Sequence, residues 1–108
     1  MRLEHYNEET LKKELEDIVG KYLDLSRYAL FFFGSRVAGT GDDRSDIDVG
    51  IEGPEEIPLA VIGSIRSELE LLPTLYTIDV VDFKGVSEKF YAFAKKSVEY
   101  IHNPVVTV

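Results

Sequence analysis

The sequence predicts a small α/β (α+β) fold: a mixed three-stranded sheet flanked by helices, in the order α-β-(α)-β-α-β-α. Apolar residues recur at helical spacing in three segments. Three other short segments are apolar throughout or alternate, as buried and half-buried strands do. Gly and Pro fall mainly between these segments. A length of 108 residues fits one domain. Such a chain buries roughly two-thirds of its unfolded surface, enough for one core. The ordered core is expected over about residues 7–102.

Asn7 followed by Glu8 and Glu9 is a helix start: a capping residue, then acids at the positive end of the helix dipole. Leu11, Leu15, Ile18, Val19 and Tyr22 then follow helical spacing, and the helix should end near residues 23–25 despite Gly20. Tyr28 to Phe33 is the first strand. Its three consecutive phenylalanines imply burial on both faces. Gly34-Ser35 stops it, a short helical turn over Ser35 to Ala38 follows, and Asp42-Asp43-Arg44-Ser45 is a turn. Asp46 to Glu52 is the second strand. Ile47, Val49 and Ile51 share one face, with Asp46, Asp48, Gly50 and Glu52 on the other.

Gly53-Pro54 breaks that strand, and Pro58 suits the first turn of a helix. Leu59, Ile62, Ile65, Leu69 and Leu72 form its apolar side, and Pro73 ends it. Leu75 to Asp82 is the third strand, with Thr77, Asp79 and Val81 on one face and Ile78 and Val80 on the other. Ser87 caps a final helix whose inner face carries Phe90, Phe93, Ala94, Val98 and Ile101, and the tail from Asn103 is expected to be loose. The short link between strands one and two permits an antiparallel pair. The helix between strands two and three permits a parallel one.

Composition narrows the function. The net charge of −8 disfavours a polymerase-like role on long nucleic acid, since phosphate contacts need a positive face. An acidic surface suits a basic partner. The absence of cysteine excludes disulfides and thiolate zinc sites. No apolar run could span a bilayer, and MRLEHYNEET has no signal-peptide character, so a cytoplasmic location is expected. A calcium loop starting at Asp46 would need Glu where Ile57 stands, and no Gly-Lys-Ser/Thr triplet supports a Walker loop. His5 and His102 lie near the ends, outside any constellation.

The chemistry concentrates between Leu30 and Gly50. Gly34 allows a tight turn and close approach to a ligand, and Ser35 starts a helical turn whose outward N–H groups suit phosphate oxygens. Asp46 and Asp48 share a strand face beside it, which suits Mg²⁺ and a nucleotide. Asp79 lies inside the third strand. On the same face as the other two, it would complete three converging carboxylates. At about 4–5 Å such charges repel by several kcal/mol per pair at an effective dielectric near 20. Two Mg²⁺ ions about 3.5–4 Å apart would relieve this and stabilise in-line displacement at phosphorus. The plainer alternatives are a solvated strand start for Asp46 and Asp48, an exposed strand acid for Asp79 and a helix cap for Ser35. Asp82, at the strand end, competes with Asp79 but fits a turn cap. Arg36 and Arg44 either reach phosphates or remain loop charges paired with Asp42 or Asp43.

The stretch resembles the signature of the DNA polymerase β–like nucleotidyltransferase superfamily: Gly-Ser, ten residues, then Asp-x-Asp. Here that is Gly34-Ser35, Arg36 through Ser45, then Asp46-Ile47-Asp48. From about Leu11 to Ile101, size and element order resemble the minimal nucleotidyltransferases. The resemblance implies ATP as substrate and two Mg²⁺ ions as cofactors. Asp46, Asp48 and Asp79 would be the catalytic and metal-binding residues, and Gly34, Ser35, Arg36, Arg44 and Ser45 the nucleotide-binding ones. It also implies a partner, a small helical HEPN-domain ribonuclease toxin, with this chain as antitoxin transferring AMP to a tyrosine of the toxin. Two alternatives stand beside it: an antitoxin that acts by binding alone, and a stand-alone transferase acting on a small hydroxylated molecule.

Overall fold

The computed structural model describes residues 1–41 and 45–104. Its elements run α1 (Glu8–Gly20), β1 (Ala29–Phe33), α2 (Ser35–Ala38), β2 (Ile47–Glu52), α3 (Leu59–Leu69), β3 (Ile78–Asp82), α4 (Glu88–Ala94) and β4 (Glu99–His102). The four strands form one sheet in the order β3-β2-β1-β4. β1 pairs antiparallel with both β2 and β4, and β2 pairs parallel with β3.

The fourth strand corrects the sequence reading. The last helix ends at Ala94, and Val98 and Ile101 belong to the strand region, not to a helix face. Two causes combine. Tyr100 and Ile101, at the centre of Glu99 to His102, are β-prone residues. Without it, the phenylalanine strand β1 would present an open edge, which β4 closes by pairing Phe31 with Tyr100 and Phe32 with Glu99. Phe93 is also not on an inner face: it is 73% exposed, whereas Phe90 packs its ring against Phe33 and Phe83, and within α4 only Ala94 is buried. Smaller departures occur elsewhere. α1 ends at Gly20, and Lys21 to Leu23 continue as a turn bonded back to Ile18 and Val19. Leu59 is 88% exposed, off the apolar side of α3. The 42–44 turn and the last four residues of the tail lie outside the described residues.

Strand alternation sorts the side chains into two layers. Leu30, Phe32, Ile47, Val49, Ile51 and Val80 face α1 and α3, packing with Leu11, Leu15, Ile18, Val19, Ile62, Ile65 and Leu69. Phe31 and Phe33 point the other way, with Phe83 and Ala94. Gly50 makes that second layer possible. A Cβ there would sit 2.3 Å from the Phe31 ring, which meets Phe83 edge-on at 4.7 Å. Among the described residues no helix is long and apolar enough to cross a membrane.

Candidate active site

β1 ends at Gly34, whose φ of 84° and ψ of −164° belong to a region that only glycine adopts readily. Space imposes the same choice. A Cβ on Gly34 would lie 2.2 Å from Asp48 Oδ2, so the turn presses its backbone against that carboxylate. Ser35 opens α2, and its carbonyl accepts from Thr40 N–H at 3.0 Å and Gly41 N–H at 3.1 Å, bending the chain back at once. Ser35 and Ser45 hydroxyls flank Gly41 so closely that a Cβ there would be 2.7 Å from each.

Asp48 lies opposite Phe33 on β1 and in register with Asp79 on parallel β3. In-register neighbours direct their side chains to one face, so the sheet places Asp48 and Asp79 side by side. Asp46 stands two residues before Asp48 at the strand mouth, and is exposed. Asp48 is half-buried, and burial pushes its carboxyl above the usual range, helped by the charges of Asp79 and then Asp46. Asp79 Oδ1 accepts from Val80 N–H at 3.0 Å, and Arg66 Nη2 lies 3.9 Å from that oxygen. Asp82, the competing acid, caps a turn: its carboxylate accepts from Ile57 N–H at 2.8 Å and Lys84 N–H at 3.0 Å.

Asp48 and Asp79, but not Asp46, line a cleft of about 570 Å³, a size suited to a small-molecule ligand. Asp48 and Asp79 form one wall and Gly34 and Ser35 another. Phe90, Phe93, Lys96 and Ser97 close it from the α4 side. The α4 contributors were not read as site residues, because Phe90 and Phe93 sit at spacings that also describe a core-facing helix. Arg36 is engaged with the loop. Its Nε donates to the Ser45 carbonyl at 2.7 Å and its guanidinium lies 4.7 Å from the Tyr76 ring centroid. Arg44 lies outside the described residues.

The donor set fits Mg²⁺. It consists of hard carboxylate oxygens, and burial, with the charges of Asp79 and Asp46 added, disfavours the ionised Asp48 until a cation is present. Among the described residues, no three acidic, imidazole or thiol groups stand close enough to enclose an ion as they are. Asp79 is turned toward the backbone of its own strand.

Comparison with known proteins agrees with this fold. Residues 26–103 match the family described as Polymerase beta, Nucleotidyltransferase, a span running from before β1 through β4. None of the curated proteins matches the chain. Three solved structures share its fold. A MntA–HpeT toxin–antitoxin carrying two Asp-to-Glu substitutions gives a TM-score of 0.67 at 14% identity, over 83% of this chain and 71% of that one. A toxin–antitoxin with AMP-PNP gives 0.61 at 16% identity, with the same coverage of both chains. A tri-AMPylated HEPN toxin of Shewanella oneidensis in complex with its MNT antitoxin gives 0.58 at 13% identity, over 86% and 71%. With the Gly34-Ser35 turn and the paired strand acids inside the matched span, the chain belongs to the polymerase beta nucleotidyltransferase family.

Proposed function

We propose that the protein is a Mg²⁺-dependent adenylyltransferase of antitoxin type, transferring AMP from ATP to a tyrosine hydroxyl of a HEPN-type ribonuclease toxin. The observation that carries the catalytic part is the in-register Asp48–Asp79 pair, set directly across from the Gly34 turn in one cleft. The fold shared with antitoxins of toxin–antitoxin pairs, one of them with an AMPylated toxin, supports the choice of partner and acceptor.

In this reading Gly34 and Ser35 seat the distal phosphates. Arg36 and Ser45, joined by the hydrogen bond from Arg36 Nε to the Ser45 carbonyl, are further nucleotide-binding candidates, as is Arg44. Asp46 and Asp48 would hold two Mg²⁺ ions, which supply charge neutralisation at the phosphates and acidify the acceptor hydroxyl. Asp79 would bind the ion beside the acceptor hydroxyl, orient that hydroxyl and take its proton. The hydroxyl oxygen attacks the α-phosphorus, the bond to the bridging α–β oxygen breaks, and pyrophosphate leaves with that electron pair. Alignment and preorganised charge supply the rate.

The test is intact-mass spectrometry of the toxin after incubation with ATP, Mg²⁺ and this chain. One or more AMP additions on tyrosine are expected, and none with Asp48→Asn. Neutralisation of the toxin that survives Asp48→Asn without any added mass would instead support action by binding alone.

A further inference from the structure

β3 is an outer strand of the sheet, so half of its backbone groups have no strand partner. Ile47 N–H donates to Thr77 O, and Phe83 N–H to Ile51 O. In a parallel pair each residue turns its N–H and C=O the same way, alternating along the strand. Residues 77, 79, 81 and 83 therefore serve β2, and Val80 faces the open edge. Both of its groups are nevertheless taken. Its N–H donates to Asp79 Oδ1 at 3.0 Å, and its carbonyl accepts from Arg66 Nη2 at 2.9 Å. Arg66 reaches over from α3 and also stands 3.9 Å from that same Asp79 oxygen. The guanidinium, the Val80 peptide and the Asp79 carboxylate thus form one closed cluster at the edge of the sheet.

We propose that Arg66 is a positioning residue that holds the Asp79 carboxylate toward the β3 edge of the cleft until a divalent cation draws it toward Asp48. The proposal rests on the reading of Asp79 as a metal-binding acid. Asp79 has two alternative sets of partners: a fixed cation and a backbone donor at the edge, or the ion shared with Asp48 and Asp46. The first relieves the crowding of three acids while the site is empty. Loading the site then has a structural consequence outside the cleft, because the Val80 N–H loses its acceptor.

The test uses the full chain and Mg²⁺ alone as probe. Amide exchange measured by NMR should quicken at Val80 on adding Mg²⁺. The amides of Asp79 and Val81, which pair with β2, should not quicken and serve as internal references. Arg66→Gln keeps a donor for the Val80 carbonyl and removes the charge. It should tighten Mg²⁺ binding by about two- to fivefold, the scale of one exposed ion pair, and Arg66→Lys should restore the original affinity. Unchanged or slower Val80 exchange in the wild-type chain overturns the proposal, as does unchanged or weaker Mg²⁺ binding in Arg66→Gln. Asp79→Asn separates the two levels. If it leaves Mg²⁺ affinity unaltered, the metal-binding reading of Asp79 itself fails. If it weakens binding while the Val80 amide ignores Mg²⁺, only the positioning role fails.

Discussion

One face of the sheet meets α1 and α3 through mostly aliphatic side chains, with Phe32 among them, and among the described residues no polar or charged residue is buried. The other face begins in the same way, with Phe31, Phe33 and Phe83 packed edge to face. It then changes character toward the start of β2, where Asp48 stands opposite Phe33 and beside Asp79. Phe93, on the helix covering this face, is 73% exposed. The contrast teaches that stability and chemistry are assigned to opposite sides of a sheet only one strand thick. A substitution on one side should therefore move one property and largely spare the other.

The largest effect expected from breaking this division is on the cleft side. Asp48→Asn removes a central carboxylate and should lower AMP transfer by about a thousandfold, the scale of losing a main electrostatic element of a transition state. The same change should slightly raise the melting temperature without divalent ions. Asp48's carboxyl is pushed up by burial and by Asp79 and Asp46, so its ionised form opposes folding, and asparagine removes that opposition. Thermal melts with and without Mg²⁺ check both parts: the variant should be the more stable protein in chelator and gain less from the ion.

On the helical side, Leu15→Ala should do the reverse. Leu15 is fully buried in the core shared by α1 and the sheet. The truncation should cost about 2–5 kcal/mol, read as a lowered urea midpoint. Activity per folded molecule should stay near that of the parent, because no cleft residue loses a contact.

Gly34→Ala should cross the division. It forces alanine into a backbone region reserved for glycine and drives a methyl into Asp48 Oδ2, so about 1–3 kcal/mol of stability and most of the activity should fall together. Gly39→Ala is the matched control. Gly39 has a φ of 80° and ψ of 12°, which other residues tolerate better, and nothing lies within 4 Å of its missing Cβ. Chemical unfolding of both variants beside a transfer assay sharpens the comparison: only Gly34→Ala should lose activity beyond its loss of folded protein.

These two faces were unequally legible in the sequence. Alternation within Ile47–Glu52 and Thr77–Asp82 separates Asp48 and Asp79 from their apolar neighbours because period-two patterning is local information, but only the parallel β2–β3 register puts the two on one side. The fate of Val98 and Ile101 is not local. Phe90, Ala94, Val98 and Ile101 continue a helical spacing, and only the open edge of β1, more than sixty residues away, converts the last of them into a strand. Arg66 was invisible for a similar reason. Its target is a backbone carbonyl on another element, and a peptide group carries no sequence signal.

The smallest expected effect distinguishes two acids on the same face of β2. Asp48 is surrounded by carboxylates, whereas Glu52, four residues on, is held by a cation. Lys95 Nζ lies 2.8 Å from Glu52 Oε1, Tyr91 OH donates to Oε2, and the ammonium also sits 4.8 Å from the Phe31 ring centroid. Burial alone would raise the Glu52 carboxyl. The Lys95 and Tyr91 hydrogen bonds outweigh it and hold the group below the usual range. The sign follows from which form is favoured. A lowered folded pKa means the clip stabilises fully above the ordinary glutamate value of 4.5 and is lost as pH falls through the lowered one. Asp48 contributes oppositely, since protonating it on acidification relieves the cost of a buried charge and, after that, the repulsion from Asp79 and Asp46. Glu52→Gln should therefore cost about 1 kcal/mol near neutral pH and flatten the acid limb of the stability curve. Asp48→Asn should steepen that limb by leaving the Glu52 loss uncompensated. Denaturation midpoints followed from pH 7 to pH 3 for the two variants should diverge in opposite directions. If they run parallel, the two carboxylates are not distinguished by their neighbours, and the electrostatic difference between the two ends of β2 does not hold.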